Sequence, residues 1–163
     1  MHVQKRGEGN KLRAILAKWL DWPPVWTLSG LALIWVLALI PLPGGFGVFG
    51  PGLALACLAL ALWLMGRAVL QMARLRTTVN PRGQPRVLVT DGVFGLSRNP
   101  IYLGDALLLL AAAFWTDSLA GLLVVAGFVW IVTARFIRVE EARLVDTFGV
   151  TAEEWFGRVR RWI

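Results

Sequence analysis

Read from the amino end, apolar and polar positions first alternate at helical spacing. Leu12, Ile15, Leu16, Trp19 and Leu20 recur every three or four residues, with Lys11, Arg13 and Lys18 near the other face. This pattern predicts an amphipathic helix within residues 1–22, lying on an anionic membrane surface or packed on the protein's own polar end. The stretch lacks the small-residue cleavage site of a signal peptide and is expected to be retained. The periodicity then gives way to unbroken hydrophobicity. Residues 25–42 carry no charge over a length that roughly spans hydrocarbon, and Pro23 and Pro24 suit the first turn of a helix. A connector rich in glycine and proline, PLPGGFGVFGPG, leads to a second apolar run that begins at Leu53 and emerges among Arg67, Arg74 and Arg76. Residues 24–76 therefore read as two crossings.

Residues 77–97 change character: two prolines, several glycines and β-branched residues predict an ordered polar loop. From Ile101 to Trp115 the chain is apolar apart from Tyr102 and Asp105, and after Thr116, Asp117 and Ser118 it is apolar again from Leu119 to Ala134. Each run makes roughly 22 Å of helix, short for a hydrocarbon core of about 30 Å. A buried soluble hairpin competes with a tight transmembrane one. Phe114 and Trp115 at the turn, and cationic blocks at both open ends, favour the transmembrane reading. In the tail, Ile137, Leu144, Phe148 and Trp155 keep a helical rhythm amid dense charge, which predicts an extension of the last helix and a capping segment. The expected fold class is all-α: a polytopic helical membrane protein with about four transmembrane helices, an amphipathic N-terminal helix and a cytoplasmic C-terminal helical segment. The whole chain reads as one domain, residues 77–163 holding the loop, the helical hairpin and the cap.

Composition and charge sharpen this. Hydrophobic residues make up 57% of the chain and the mean hydropathy is +0.63, well above a soluble domain. The net charge of +7 would suggest nucleic acid in a soluble protein, but all 17 Lys and Arg fall into three blocks, Lys5–Lys18, Arg67–Arg98 and Arg135–Arg161. The two intervening connectors carry no cation. That asymmetry is the positive-inside pattern, and it places both termini and the middle loop in the cytoplasm. With no recognition motif for nucleic acid, the bilayer is the expected partner. One Cys and one His leave no disulfide framework, no metal cluster and no Cys/His nucleophile pair.

Two polar groups can meet at the cytoplasmic ends of the hairpin: Arg98, Asn99 and Tyr102 before it, Arg138, Glu140 and Glu141 after it. A short turn makes the two helices antiparallel and sets these residues on one side. Ionisable residues at membrane depth are costly unless paired or functional, so the pattern suggests a site for a charged or zwitterionic ligand. Taken singly, Arg98 could snorkel to phosphate, Pro100 could merely start a helix, and the Glu pair could be a solvated face.

The stretch GVFGLSRNPIYLG, followed by EEARLVDTFG and RVRRWI, resembles the isoprenylcysteine carboxyl methyltransferase family and related membrane phospholipid methyltransferases. The resemblance covers residues 87–163 and implies an integral membrane enzyme using S-adenosylmethionine. It sets the family's Arg-His-Pro on Arg98, Asn99 and Pro100, its aromatic on Tyr102 and its small residue on Gly104. Asn replaces His and cannot carry a proton as imidazole does. The Glu pair falls on Glu140 and Glu141, and the later aromatic and basic positions on Trp155, Arg161 and Trp162; Ala152 stands where the family has a further aromatic.

What the resemblance implies is a division of roles. Arg98 and Glu141 are the expected catalytic residues, Arg98 gripping a carboxylate of acceptor or cofactor and Glu141 either accepting from the cofactor or organising Arg98. Asn99, Pro100, Tyr102, Gly104, Glu140, Glu141, Trp155, Arg161 and Trp162 are expected to bind the cofactor, with aromatic faces toward the sulfonium and adenine. Glu140 or Glu141 could deprotonate an amine or thiol; a carboxylate acceptor needs no base. The acceptor is expected to be lipophilic. Competing readings are a non-catalytic scaffold or degenerate relative, and a sterol-reductase-like oxidoreductase, which the lack of a Gly-rich dinucleotide fingerprint disfavours.

Overall fold

The computed structural model describes residues 22–40, 44–77 and 85–163, so the expected amphipathic helix and the centre of the polar loop lie outside the described residues. The described elements are helical, with no strand among them. They are α1 (Pro23–Leu37), α2 (Gly50–Arg74), α3 (Pro100–Trp115), α4 (Leu119–Val132), α5 (Arg138–Phe148) and α6 (Val150–Arg158). A π-helical turn, Thr133–Ile137, joins α4 to α5 without a break, so Leu119–Phe148 is one helix of 30 residues.

Two described stretches, Gly47–Arg74 and Leu119–Phe148, are long and apolar enough to cross a bilayer. The other two expected crossings form shorter apolar helices of 15 and 16 residues. The predicted run 25–42 stops helically at Leu37, and the chain turns through Ala38–Ile40. Pro41 helps to end it, since the residue before a proline is pushed out of the α region. The second helix starts earlier than Leu53, because Gly50 and Pro51 fit its first turn and a 3₁₀ turn, Gly47–Phe49, leads into it.

Small residues set the packing. On α2, Ala54, Ala61 and Ala68 are buried at heptad spacing together with Leu64, whereas Leu55, Leu62, Trp63 and Leu70 face outward. This small-residue stripe lets α3 pack closely along α2, its most extensive neighbour. α1 lies against α3 and α4, with Gly30 seated on Leu109. Ile34, Leu109, Val132 and Ile137, all fully buried, form the centre of that side. At the cation-free end, Asp117 accepts from the backbone N–H groups of Phe46 and Gly47 and ties the two hairpin turns together. Phe46 meets Phe114 edge-on above this clasp, with ring centroids 4.6 Å apart.

Candidate active site

The polar clusters meet at the other end. Pro100 starts α3, and the three residues before it hold the extended C-terminal residues against the loop. Arg98 N–H donates to the Arg160 carbonyl at 3.0 Å. Asn99 Nδ2 and Ser97 Oγ both donate to the Arg161 carbonyl, at 2.9 and 3.3 Å. Asn99 is thus a tether as well as a candidate ligand residue, a use of its amide donor that imidazole in the same place would make only through a ring N–H.

The tether delivers Arg161 to Glu141. Arg161 Nε donates to Glu141 Oε1 at 3.0 Å and Nη2 to Oε2 at 2.6 Å, while Arg98 Nη1 reaches Oε1 at 3.1 Å. Both Glu141 oxygens are engaged by guanidinium, so this carboxylate holds two cations in place. Burial pulls the Arg98 guanidinium below its ordinary range, against the opposing attraction of Glu141, and the Glu141 hydrogen bond lifts that of Arg161. Arg98 also lies 4.6 Å over the Phe156 ring. Its Nε is buried and has no hydrogen-bond partner among the described residues.

Glu140 differs from its neighbour. One helical step away, it accepts from the Tyr102 hydroxyl at 2.5 Å and so joins α5 to α3. The other aromatic positions frame the site. Trp155 is buried and donates from Nε1 to the Phe94 carbonyl at 3.3 Å. Trp162 Nε1 donates to Thr133 Oγ1 at 3.2 Å, and that hydroxyl, at the start of the π-helical turn, donates in turn to the Val129 carbonyl of α4. The tail is therefore fastened at both Glu141 and Thr133.

Above these groups opens a cavity of about 1050 Å³, larger than the roughly 300–1,000 Å³ of ordinary small-ligand clefts. Of the residues expected from the sequence, Arg98, Asn99, Pro100, Tyr102, Glu140, Glu141 and Trp155 line it. Gly104, Arg161 and Trp162 do not. Arg161 and Trp162 act on the site through Glu141 and Thr133. Gly104 faces α2, where an added Cβ would collide with Met65 and approach the Ala61 carbonyl at 3.3 Å. Replacing Gly104 with Ala is expected to lower the thermal midpoint in detergent, costing about 1–3 kcal/mol by overpacking, while leaving ligand affinity of the folded fraction unchanged. Ala152 is fully buried outside the cavity lining, so its small size removes no wall.

Sequence reasoning missed three participants. Phe156, beneath Arg98, carries no signal beyond its place beside Trp155. Arg135 sits 5.6 Å over the Trp26 ring, a pairing between distant segments. Asp105 stands out as a carboxylate in an apolar run, but its neighbour Thr27 belongs to α1.

The phospholipid methyltransferase family pattern matches residues 51–151, which include α2, α3, Arg98 and the Glu pair. The chain belongs to that family. A curated relative, the protein-S-isoprenylcysteine O-methyltransferase of Schizosaccharomyces pombe, is 28% identical over 108 residues, covering 65% of this chain and 46% of the relative. The chain thus spans less than half the length of that protein. No solved structure matches it. The family match covers residues 51–151, so α1, Trp155, Arg161 and Trp162 lie outside it.

The donor set suits the amino-acid end of S-adenosylmethionine. A guanidinium with an idle, buried Nε offers a partner for carboxylate, Glu140 offers an acceptor, and Trp155 and Phe156 offer aromatic faces.

Proposed function

We propose that this protein is an S-adenosylmethionine-dependent methyltransferase acting on a lipophilic acceptor at the cytoplasmic face of the membrane. The observation that carries this reading is the Arg98–Glu141 pair, 3.1 Å apart, at the wall of a large cavity that is otherwise mostly apolar. Such a chamber has a polar part for a water-soluble ligand and an apolar part continuous with helices that face lipid. Family membership and the Schizosaccharomyces pombe relative support methyl transfer as the chemistry.

When bound, the cofactor supplies an electrophilic methyl group whose transfer requires in-line approach of a desolvated nucleophile. Arg98 orients the cofactor carboxylate. Glu141, held by Arg161, keeps Arg98 in place and is a positioning residue. Glu140 is the acceptor of a proton from an amine or thiol nucleophile, and Tyr102 aims its carboxylate. Trp155 and Phe156 exclude water from the transfer and face the positive charge. An amphiphile enters laterally between the helices, so the two substrates reach the same atoms from different solvents.

Calorimetric titration of S-adenosylmethionine in detergent tests this. Arg98→Ala is expected to weaken binding by about tenfold to a hundredfold, the loss of a charge-assisted hydrogen bond worth about 1.5–3 kcal/mol. Methyl label from the cofactor is expected in a membrane lipid extract incubated with the wild type. A scaffold would leave the extract unlabelled, and unchanged affinity in Arg98→Ala would remove the assignment of that residue.

A further inference from the structure

The catalytic reading uses the charged part of the cavity and leaves its other polar element without a role. Asp105 lies on α3 one turn beyond Tyr102, on the same helix face, and both line the cavity. At 1.5 Å per residue it sits about 7.5 Å along the helix from Pro100, where α3 begins after Arg98 and Asn99. It is buried, only 8% exposed, in a stretch of α3 whose other lining side chains are apolar. Across from it on α1 is Thr27, 6% exposed and also lining the cavity. The hydroxyl faces the Asp105 carboxylate. Yet Thr27 Oγ1 makes no hydrogen bond of normal geometry to any described residue.

A buried carboxylate whose one neighbouring hydroxyl is held without normal hydrogen-bond geometry is expensive to maintain unless something else completes it. The guanidiniums of Arg98 and Arg161 are both committed to Glu141, that of Arg135 lies over the Trp26 ring, the Tyr102 hydroxyl donates to Glu140, and the Thr27 hydroxyl neighbours Asp105. A carboxylate accepts hydrogen bonds only, and a hydroxyl can accept one too. The missing partner is therefore a donor, and an anionic group there would meet like charge at short range.

Building on the cavity as the acceptor's chamber, we propose that Asp105 and Thr27 form a second polar subsite that selects acceptors bearing a hydrogen-bond donor, an ammonium or a hydroxyl, on an apolar body. It rejects acceptors that would place a carboxylate at that depth. The selection is made by contact across α1 and α3, separate from the Arg98–Glu141 clamp.

Simple amphiphiles of equal chain length make the test: dodecylamine, dodecanol and dodecanoate, titrated calorimetrically into the full chain in dodecyl maltoside without cofactor. Wild type is expected to bind dodecylamine and dodecanol at least about tenfold more tightly than dodecanoate. Asp105→Asn, nearly isosteric, is expected to abolish the preference for dodecylamine, and Asp105→Glu to restore it. Thr27→Val is expected to weaken dodecanol more than dodecylamine if the hydroxyl is the natural group, and the reverse ranking identifies the ammonium. Equal binding of all three by wild type, or an unchanged order in Asp105→Asn, overturns the subsite. S-adenosylmethionine titrated into the same variants is expected to bind as in wild type, so failure of the subsite is distinct from failure of the cofactor assignment.

Discussion

Replacing Glu141 with alanine is expected to weaken S-adenosylmethionine binding by about thirtyfold or more, the equivalent of roughly 2 kcal/mol, and to destabilise the folded chain. Glu141 neutralises two guanidiniums at once, those of Arg98 and Arg161. Removing one partner of a buried ion pair costs about 3–5 kcal/mol, because the survivor keeps its desolvation penalty. The Arg161 side chain is 34% exposed, so solvent screens part of that loss and about 2–3 kcal/mol is the better expectation. The remaining cost appears as repulsion between the two arginines, which drives Arg98 off Phe156 and loosens the tail. Glu141→Gln should fall between, since it preserves shape and some hydrogen bonding while losing the charge. Thermal unfolding in detergent alongside calorimetric titration checks both effects. Wild-type stability together with wild-type affinity in Glu141→Ala would contradict the clamp.

Glu140→Gln should have a different signature: cofactor affinity close to wild type, with kcat lowered by about 10²–10⁴-fold for an amine or thiol acceptor. The amide keeps a hydrogen-bond acceptor for the Tyr102 hydroxyl but cannot take a proton. A carboxylate acceptor, already ionised, needs no base and should be methylated by the variant at nearly the wild-type rate. Comparing acceptors of the two kinds under single-turnover conditions separates proton removal from binding. If Glu140→Gln methylates both kinds at the wild-type rate, Glu140 has no part in proton transfer and the division of labour between the adjacent glutamates fails.

Much of this site is legible in the order of residues alone. Arg98 and Glu141 are expected to meet because a three-residue connection after Trp115 leaves no geometry except an antiparallel hairpin, and the hairpin's open ends hold both clusters. The helical continuation beyond Ala134 is legible in the same way. What a one-dimensional pattern does not separate is the two glutamates. Adjacent residues point about 100° apart on a helix, and which one meets arginine and which tyrosine depends on register. The π-helical turn, which alters that register just before them, has no clear mark in TARFI. Gly104 shows the opposite failure. Motif position groups it with the ligand residues, but three-dimensional packing turns it toward Met65 and makes it a contact between helices.

By itself the sequence determined the helical class, the apolar runs that become α1 to α4 and the grouping of cations into three blocks, because these follow from local hydropathy, proline and charge that each segment carries wherever it sits. That Gly47–Arg74 and Leu119–Phe148 would be the two long helices was not among them. Tertiary structure alone decided that Arg161 would lock Glu141, that α1 would bring Thr27 to Asp105, and that the apolar helices would leave a chamber among them. Those outcomes depend on close approach between segments separated by about twenty to eighty residues. Such approach is set by side-chain volumes, glycine and alanine contacts and helix register, none of which is a property of any one stretch of chain.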